Sequence, residues 1–206
     1  LVTGANRGIG LAFARELLNR GARKVYAAAR DPASVTLPGV QALKLDVTKP
    51  DEVASAVAQA GDVTLLINNA GIAQPGGFLD DDSEEVARRI FETNFFSVLR
   101  MSKAFAPILK DNGGGALLNV LSVASWVNGG ELAAYSASKA GLHGLTRAVA
   151  VDYSTEVRCN AVAPGWTVSG SSAPSGFQLD GFWNAQGMRS SMRDAGWRLA
   201  VRVSRR

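Results

Sequence analysis

Short apolar segments alternate with amphipathic helical segments from Leu1 to Val162, and this alternation restricts the fold more than any other feature of the chain. Apolar residues fill most positions of the segments that we predict to be strands, which are Lys24–Ala29, Val40–Leu45, Val63–Ile67, Ala116–Leu121 and Val157–Val162. Strands buried on both faces have this composition, and helices between consecutive strands allow the strands to run parallel. The sequence therefore predicts an α/β fold, a single domain built on a doubly wound parallel sheet.

The remaining elements follow from local signals. The chain opens with LVTG, which has the character of the end of a strand, so we expect further residues to precede Leu1. Helices are predicted over Asp51–Gln59, Ser83–Leu109 and Ala134–Val149. Ser83 is the expected N-cap of the long helix, because two glutamates follow it in what would be the first helical turn.

Charge is distributed unevenly along the 206 residues. The net charge of +4 comes from residues 168–206, which hold six Arg and two Asp, whereas residues 1–167 carry 16 basic and 16 acidic side chains. The positive charge therefore belongs to the end of the chain, and we expect no nucleic-acid partner. No apolar run approaches the roughly 18 residues that span a bilayer, so no membrane partner is expected. The single cysteine, Cys159, suits a reducing compartment and a cytoplasmic protein.

Residues after about Val168 differ in character from the rest. They are rich in Ser, Gly and Arg, contain no Lys and lose the alternation of strands and helices. We expect residues 169–206 to form a poorly ordered tail, and their composition suits a frameshifted or truncated gene. The competing interpretation is that Trp197–Val203, in which apolar residues alternate, pairs as a substitute strand.

Three reactive side chains have spacings that one strand end and one helical turn would bring together. Ser122 follows a predicted strand, and Tyr135 and Lys139 are four residues apart in a predicted helix, so they share a helix face. An ammonium about 4.5 Å from a phenol favours the phenolate by roughly 3.7 kcal/mol at an effective dielectric constant of about 20. We therefore expect Lys139 to lower the pKa of Tyr135, so that the tyrosine can exchange a proton with a substrate oxygen.

Glycines follow the opening strand at Gly4, Gly8 and Gly10, where the first helix is predicted to begin. Glycine lets the backbone approach a diphosphate closely at the positive end of a helix, although tight turns also require glycine for their own geometry. This turn is a candidate nucleotide-binding loop.

Together, the motifs resemble those of the compact, single-domain short-chain dehydrogenases/reductases over residues 1–168. The ordered set comprises TGxxxGxG at Thr3–Gly10, NNAG at Asn68–Gly71, Asn94, Ser122, YxxxK at Tyr135–Lys139, and Pro164 with Gly165. The resemblance implies a Rossmann-type, NADP-binding domain over residues 1–168 that lacks the start of the first strand and the usual seventh strand. It also implies a homodimer formed through the helices that bear Asn94 and Tyr135.

Catalytic roles follow from the resemblance. Tyr135 would be the general acid in reduction and the general base in oxidation, and Ser122 would orient and polarise the carbonyl. Lys139 would lower the pKa of Tyr135 and bind the nicotinamide ribose, while Asn94 would hold a water molecule of the proton relay. The implied activity is NADP(H)-dependent interconversion of a small-molecule carbonyl and a primary or secondary alcohol by hydride transfer.

The resemblance also assigns cofactor contacts at several strand ends. The residues implied are Asp46 and Val47 for the adenine, Asn69, Ala70 and Gly71 for the adenosine side, Pro164 and Gly165 for the nicotinamide, and, as further contacts, Thr3, Gly4, Asn6, Arg7, Gly8, Ile9, Gly10, Arg30, Tyr135, Lys139 and Thr167. Relatives that prefer NAD place an acid at the end of the second strand, where this chain has Ala29 followed by Arg30. Arg30 and Arg7 would suit a 2′-phosphate, so NADP is the expected cofactor, unless both arginines are merely solvated.

Two further expectations concern the substrate. Trp126, Leu132 and Gln74–Phe78 could shape an apolar pocket, whereas His143 is expected to pack against a neighbour. The family's substrate-covering segment follows Gly165 and has no match in this chain, so the alternative function is a catalytically impaired protein that only binds NADP(H). No cluster of metal-ligating residues is found, and no metal is expected.

Overall fold

The computed structural model describes residues 1–128, 130–153 and 155–165, all of which belong to one compact unit. The strands are β1 (Val2–Thr3), β2 (Tyr26–Ala29), β3 (Gln41–Lys44), β4 (Leu65–Asn68), β5 (Gly115–Val120) and β6 (Val157–Val162). The helices are α1 (Gly8–Asn19), α2 (Pro50–Gln59), α3 (Ser83–Phe91), α4 (Ser97–Asp111) and α5 (Ala133–Asp152). Thr167, the predicted tail 169–206 and Trp197–Val203 lie outside the described residues, so the division of the chain after residue 168 stays a prediction.

The strands form one sheet in the order β3-β2-β1-β4-β5-β6, and all neighbouring strands are parallel. Helices connect β1 to β2, β3 to β4, β4 to β5 and β5 to β6. This strand order confirms the predicted α/β, doubly wound, Rossmann-type fold. The order reverses beside β1, where the chain crosses from β3 to β4. Ligands of such sheets bind at the carboxyl ends of the strands beside this reversal.

Adjacent residues of the central strands enter two separate apolar cores on opposite faces of the sheet. Leu66 and Leu117 pack in one core with Phe105 of α4, whereas Ile67 packs in the other core with Ala14 of α1. All five side chains are at most 2% exposed. Successive side chains of a strand point to opposite faces, so a strand covered on both faces must be apolar throughout. This explains why the strand segments lack a polar and apolar alternation.

Most element boundaries agree with the sequence prediction. β6 has the predicted bounds, and each of the other internal strands begins and ends within two residues of its predicted limits. The helix predicted over Ser83–Leu109 is interrupted by one π-helical turn, Glu92–Phe96, between α3 and α4. A single widened turn displaces the apolar face too little to interrupt its period in the sequence.

The prediction that Ser83 caps the long helix is wrong. Ser83 is the first residue of α3, and its N–H donates a 3.0 Å hydrogen bond to the carbonyl oxygen of Asp80. Asp82 occupies the N-cap position without a capping side-chain hydrogen bond.

Replacing a core leucine should destabilise the fold far more than replacing an exposed one. Leu109 of α4 is fully buried, whereas Leu79 is 88% exposed. We expect Leu109→Ala to lower the free energy of unfolding by about 2 to 5 kcal/mol, because it removes buried methyl groups and leaves a cavity. Leu79→Ala, the matched control, should change it by less than about 0.5 kcal/mol. Urea unfolding monitored by circular dichroism measures both, and equal effects would contradict the described packing.

Candidate active site

A cavity of about 250 Å³ lies at the carboxyl edge of the sheet, at the ends of β4 and β5. Its walls include eight of the residues that the sequence marks as site residues: Ile9, Asn69, Gly71, Ser122, Tyr135, Lys139, Pro164 and Gly165. The structure thus brings together residues from the glycine turn, the NNAG motif and the Ser–Tyr–Lys set, although up to 156 positions separate them in the chain. Thr167 lies outside the described residues.

The glycine turn joins β1 to the first turn of α1. Gly4 and Gly8 have φ angles of +63° and +57°, which favour glycine because they lie in the left-handed region. Gly10 packs so closely on the turn that a Cβ atom would lie 2.2 Å from the Gly4 carbonyl oxygen. Arg7 holds the N-cap position of α1 without a capping side-chain hydrogen bond. The turn can therefore present backbone N–H groups at the helix N-terminus to an anionic ligand.

Thr3 joins the glycine turn to the NNAG segment. The Thr3 Oγ1 atom accepts hydrogen bonds from the backbone N–H groups of Asn69 and Ala70, at 2.9 and 3.0 Å. The Asn69 side-chain amide donates in return to the carbonyl oxygens of Thr3 and Gly4, at 2.9 and 3.3 Å. These contacts fix the ends of β1 and β4 relative to each other, and they use the Asn69 side chain within the protein.

The ends of β2 and β3 bring predicted cofactor residues together. Both Arg7 and Arg30 are exposed, and Arg30 lies close enough to Asp46 for its charge to act on that carboxyl. Partial burial raises the pKa of Asp46, but hydrogen bonds from Thr48 and the charges of Arg30 and Lys49 outweigh burial, and the net pKa lies below its usual value. Asp46 is therefore a carboxylate acceptor at neutral pH.

Val47 and Asn6 occupy different surroundings from these charged residues. Val47 is buried in the core, and its carbonyl oxygen accepts a 2.9 Å hydrogen bond from Arg100. Asn6 is half-buried in the loop between β1 and α1.

Ser122 and Tyr135 both line the cavity, and their side chains lie close enough for the Ser122 hydroxyl to act on the pKa of the phenol. Burial raises the pKa of Tyr135 above its usual value, and the nearby Ser122 hydroxyl only partly offsets that rise. The direction is opposite to the one expected from the Tyr135–Lys139 spacing. The physical reason is that burial acts on the phenol itself, whereas the Lys139 Nζ atom lies 5.9 Å from the centre of the phenol ring. The phenol is therefore protonated at neutral pH.

Lys139 is almost fully buried, with 4% of its surface exposed. Its Nζ atom donates a 2.8 Å hydrogen bond to the carbonyl oxygen of Val120, the last residue of β5. Burial lowers the Lys139 pKa to about 8, because the ammonium loses solvation. The side chain still carries a proton over most of the neutral range, and it lines the same cavity as Tyr135.

Asn94 lies in the π-helical turn and is fully buried. Its side-chain oxygen accepts from the N–H of Ile72, and its amide donates to the Ile72 carbonyl oxygen, both at 2.8 Å. The same amide donates to Ser138 Oγ at 3.1 Å, and that hydroxyl donates to the Tyr135 carbonyl oxygen at 2.7 Å. Asn94 thus connects the segment after β4 with the helix that carries Tyr135.

Several other residues named from the sequence lie elsewhere. Gln74 and Phe78 line a second cavity of about 350 Å³ beside α3, whereas Trp126 and Leu132 line neither of these two cavities. Trp126 packs edge-on against His143, with ring centres 5.1 Å apart, as expected for a histidine that packs against a neighbour. Within the described ranges, no group of His, Cys, Asp or Glu side chains could hold a metal ion. No helix in the described part of the chain is long and apolar enough to cross a membrane.

Three residues that contact the site residues are not predicted from the sequence. Ile72 and Val120 act through backbone atoms, so their side chains carry no signal of the contacts with Asn94 and Lys139. Ser138, between Tyr135 and Lys139, is a buried hydroxyl whose part in the Asn94 contact appears only when the helices are packed.

Two Gly→Ala substitutions in helices should have opposite effects on stability. At Gly10 the new Cβ would collide with the Gly4 carbonyl and the Asn69 amide, at 2.2 and 2.5 Å, so we expect the free energy of unfolding to fall by about 1 to 3 kcal/mol. At Gly144 in α5 nothing lies within 4 Å of the new atom, so alanine should stabilise the helix by about 0.5 to 1 kcal/mol. Denaturant unfolding measures both variants. A Gly10→Ala protein as stable as the parent would contradict the close packing of the turn.

Comparisons with known proteins agree with this geometry. The family model for short chain dehydrogenase matches residues 1–176. Cis-4-hydroxycyclohexanecarboxylate dehydrogenase of Sinomonas cyclohexanicum is 39% identical over 178 residues, which cover 81% of this chain and 72% of that protein. The 3-oxoacyl-(acyl-carrier-protein) reductase of Escherichia coli is 35% identical over 176 residues, with the same coverage.

A short chain dehydrogenase from Burkholderia cenocepacia J2315, solved in complex with NADP, matches with a TM-score of 0.75 at 41% identity, covering 82% of this chain and 72% of that one. The chain therefore belongs to the short-chain dehydrogenases, a family of oxidoreductases that act on alcohols and carbonyls with a nicotinamide cofactor.

Proposed function

We propose that this protein uses NADP(H) to interconvert a carbonyl compound and a primary or secondary alcohol, with Tyr135 as the acid and base. The observation that carries the proposal is that the Ser122 and Tyr135 hydroxyls lie near each other on one cavity, which the buried Lys139 also lines. Two hydroxyls that converge on one cavity can both bind a carbonyl oxygen, and one of them can transfer a proton to it.

The residues at the strand ends fit a dinucleotide cofactor. The uncapped first turn of α1 and the positive-φ glycines Gly4 and Gly8 suit a diphosphate. Asp46 and Val47 would contact the adenine, and Asn69, Ala70 and Gly71 would line the adenosine side. Pro164 and Gly165 would face the nicotinamide, and both line the cavity. When bound, the nicotinamide supplies or accepts the hydride.

Tyr135 would supply the proton during carbonyl reduction. Its phenol is protonated at neutral pH, since an ordinary phenol pKa is about 10 and burial raises the Tyr135 pKa further. The protonated state is the one that an acid needs. The phenolic O–H would donate to the substrate oxygen as that oxygen gains charge, while Ser122 Oγ donates a second hydrogen bond that orients and polarises the carbonyl. In alcohol oxidation the same groups would act in reverse, with Tyr135 accepting the proton.

Lys139 would support this proton transfer from within the protein. Its ammonium, held at the Val120 carbonyl, would stabilise the phenolate that forms when Tyr135 has lost its proton, and it would hydrogen-bond the nicotinamide ribose. The side chain of Asn94 is committed to Ile72 and Ser138, so its backbone carbonyl is the group that would hold the relay water.

The proposal of NADP rests on charge at the end of β2. Ala29 ends this strand and Arg30 follows it, so no carboxylate stands there to bind a ribose diol. Arg30 and Arg7 are both exposed and would bind the 2′-phosphate through charge-assisted hydrogen bonds. The Burkholderia cenocepacia relative with 41% identity was solved with NADP, and this supports the same choice.

We propose a homodimer formed through the helices that bear Asn94 and Tyr135. Phe96 and Leu99, on the outer side of the π-helical turn and α4, are 46% and 41% exposed, and a second copy of the chain could cover them.

Removing the two arginines should weaken NADPH binding selectively. We expect Arg7→Ala and Arg30→Ala each to raise the Kd for NADPH about tenfold, the effect of losing one charge-assisted hydrogen bond, and to leave the Kd for NADH nearly unchanged. Arg23→Ala is the matched control, because exposed Arg23 precedes β2 at the opposite end of the strand from Arg30. Fluorescence titration measures each Kd. Equal losses for NADPH and NADH would contradict a 2′-phosphate contact.

Removing the phenolic hydroxyl should slow turnover strongly and spare cofactor binding. Tyr135→Phe is expected to lower kcat about 10²- to 10⁴-fold, the usual contribution of a positioned acid, with a nearly unchanged Kd for NADPH. Tyr153→Phe, at the exposed end of α5, is the control and should keep the parent kcat. NADPH oxidation is followed with a panel of ketones and aldehydes. Retained turnover in Tyr135→Phe would overturn the mechanism, and tight NADPH binding without turnover in the parent would favour the binding-only alternative.

A further inference from the structure

A chain of buried polar side chains crosses the centre of the sheet below the cavity. Asn68 of β4 donates from its side-chain amide to Asn119 Oδ1 of β5 at 2.9 Å. Asn119 donates from its own amide to Thr146 Oγ1 of α5 at 2.9 Å, and Thr146 donates to the Leu142 carbonyl oxygen at 2.8 Å. Ser102 of α4 accepts from Asn68 at 3.5 Å at the other end. This buried polar chain therefore connects two strands and two helices.

Burial makes these hydrogen bonds selective for one arrangement of the elements. The side chains of Asn68, Asn119 and Thr146 are at most 5% exposed, and a buried polar group without a partner destabilises the fold. A shift of β5 by one residue would turn Asn119 to the opposite face of the sheet. A shift of α5 by one residue would rotate Thr146 by about 100°. The Asn119–Thr146 contact is therefore made in one register only.

The contact lies between the two elements that carry the reacting hydroxyls. Ser122 follows the end of β5, and Tyr135 lies near the start of α5. Lys139 joins these elements at Val120, and Thr146 joins them again at Asn119. Lys139 and Thr146 are seven residues apart, which is about two helical turns, so they lie on the same face of α5. Two attachment points on one face fix both the rotation and the position of the helix.

We propose that Asn119 and Thr146 are positioning residues, whose buried hydrogen bond sets the placement of Tyr135 relative to Ser122. The inference rests on the proposed function, because it assigns to this bond a role in the same proton transfer. Neither residue lines the cavity, so they act through the helix rather than by contact with substrate or cofactor. Losing the bond leaves the Asn119 amide with Cys159 Sγ at 3.9 Å as its remaining partner, a weak acceptor. Within the described residues, Lys139 then supplies the one remaining side-chain hydrogen bond between α5 and β5.

Thr146→Val tests the inference, because valine keeps the branched shape and removes the hydroxyl. We expect kcat for NADPH oxidation with the ketone and aldehyde panel, normalised to the number of NADPH-binding sites, to fall about tenfold, since small misplacements of reacting groups slow the chemical step. The KM for NADPH should stay nearly unchanged. Thr146→Ser, which restores the hydroxyl, should recover the parent kcat. Ser102→Ala, which removes a hydroxyl from the same polar chain on the side away from α5, should also keep it.

Two results would overturn the inference: a parent-like kcat per site in Thr146→Val, or an equal fall in Ser102→Ala. Amide hydrogen exchange gives a readout that does not need turnover. Thr146→Val should accelerate exchange in the first two turns of α5 more than Ser102→Ala does, and equal exchange in the two variants would also overturn the inference. If the parent protein lacks turnover, the proposed function fails, and the exchange measurement still decides whether Thr146 holds the helix.

Discussion

The hydrogen bond from the buried Lys139 ammonium to the Val120 carbonyl is the contact on which the geometry of the candidate site depends. A buried ammonium is costly unless its donors are satisfied, so the lysine favours the arrangement in which α5 lies against the end of β5. That arrangement brings Tyr135 to the same cavity as Ser122, close enough for the two side chains to interact. The interaction thus couples the packing of one helix to the meeting of two hydroxyl groups. It also keeps a positive charge in the cavity where a phenolate would form.

Hydrogen bonds between the ends of β1 and β4 determine the geometry of the candidate cofactor side of the site. Thr3 and Asn69 exchange hydrogen bonds that hold the glycine turn beside the NNAG segment. Gly10 allows this approach because a side chain there would collide with the Gly4 carbonyl. Residues that the sequence predicts as cofactor contacts therefore also stabilise the glycine turn. Parallel strands make this possible, since all of them end at one edge of the sheet.

The sequence predicts the fold and the identity of the site residues better than it predicts the contacts among those residues. Continuous apolar segments and the glycines that follow them are local signals, and they predict where the strands and helices lie. These elements in turn place Ser122, Tyr135 and Lys139. The predicted lowering of the Tyr135 pKa is wrong, because the i,i+4 spacing indicates a neighbouring charge but not the burial of the phenol. The sequence also does not predict the π-helical turn around Asn94 or the Asn119–Thr146 hydrogen bond. Both depend on packing between elements distant in the chain, which periodicity does not encode.

The central claim is that a hydride passes between the nicotinamide and the carbon of a carbonyl held at Ser122 and Tyr135. Transfer of deuterium from NADPH labelled at C4 tests it most directly, using each labelled stereoisomer in turn with a ketone that the protein reduces. The account predicts that one stereoisomer delivers its deuterium to the carbinol carbon of the alcohol, as detected by mass spectrometry and NMR. Oxidation of NADPH without deuterium in the alcohol from either stereoisomer would contradict it.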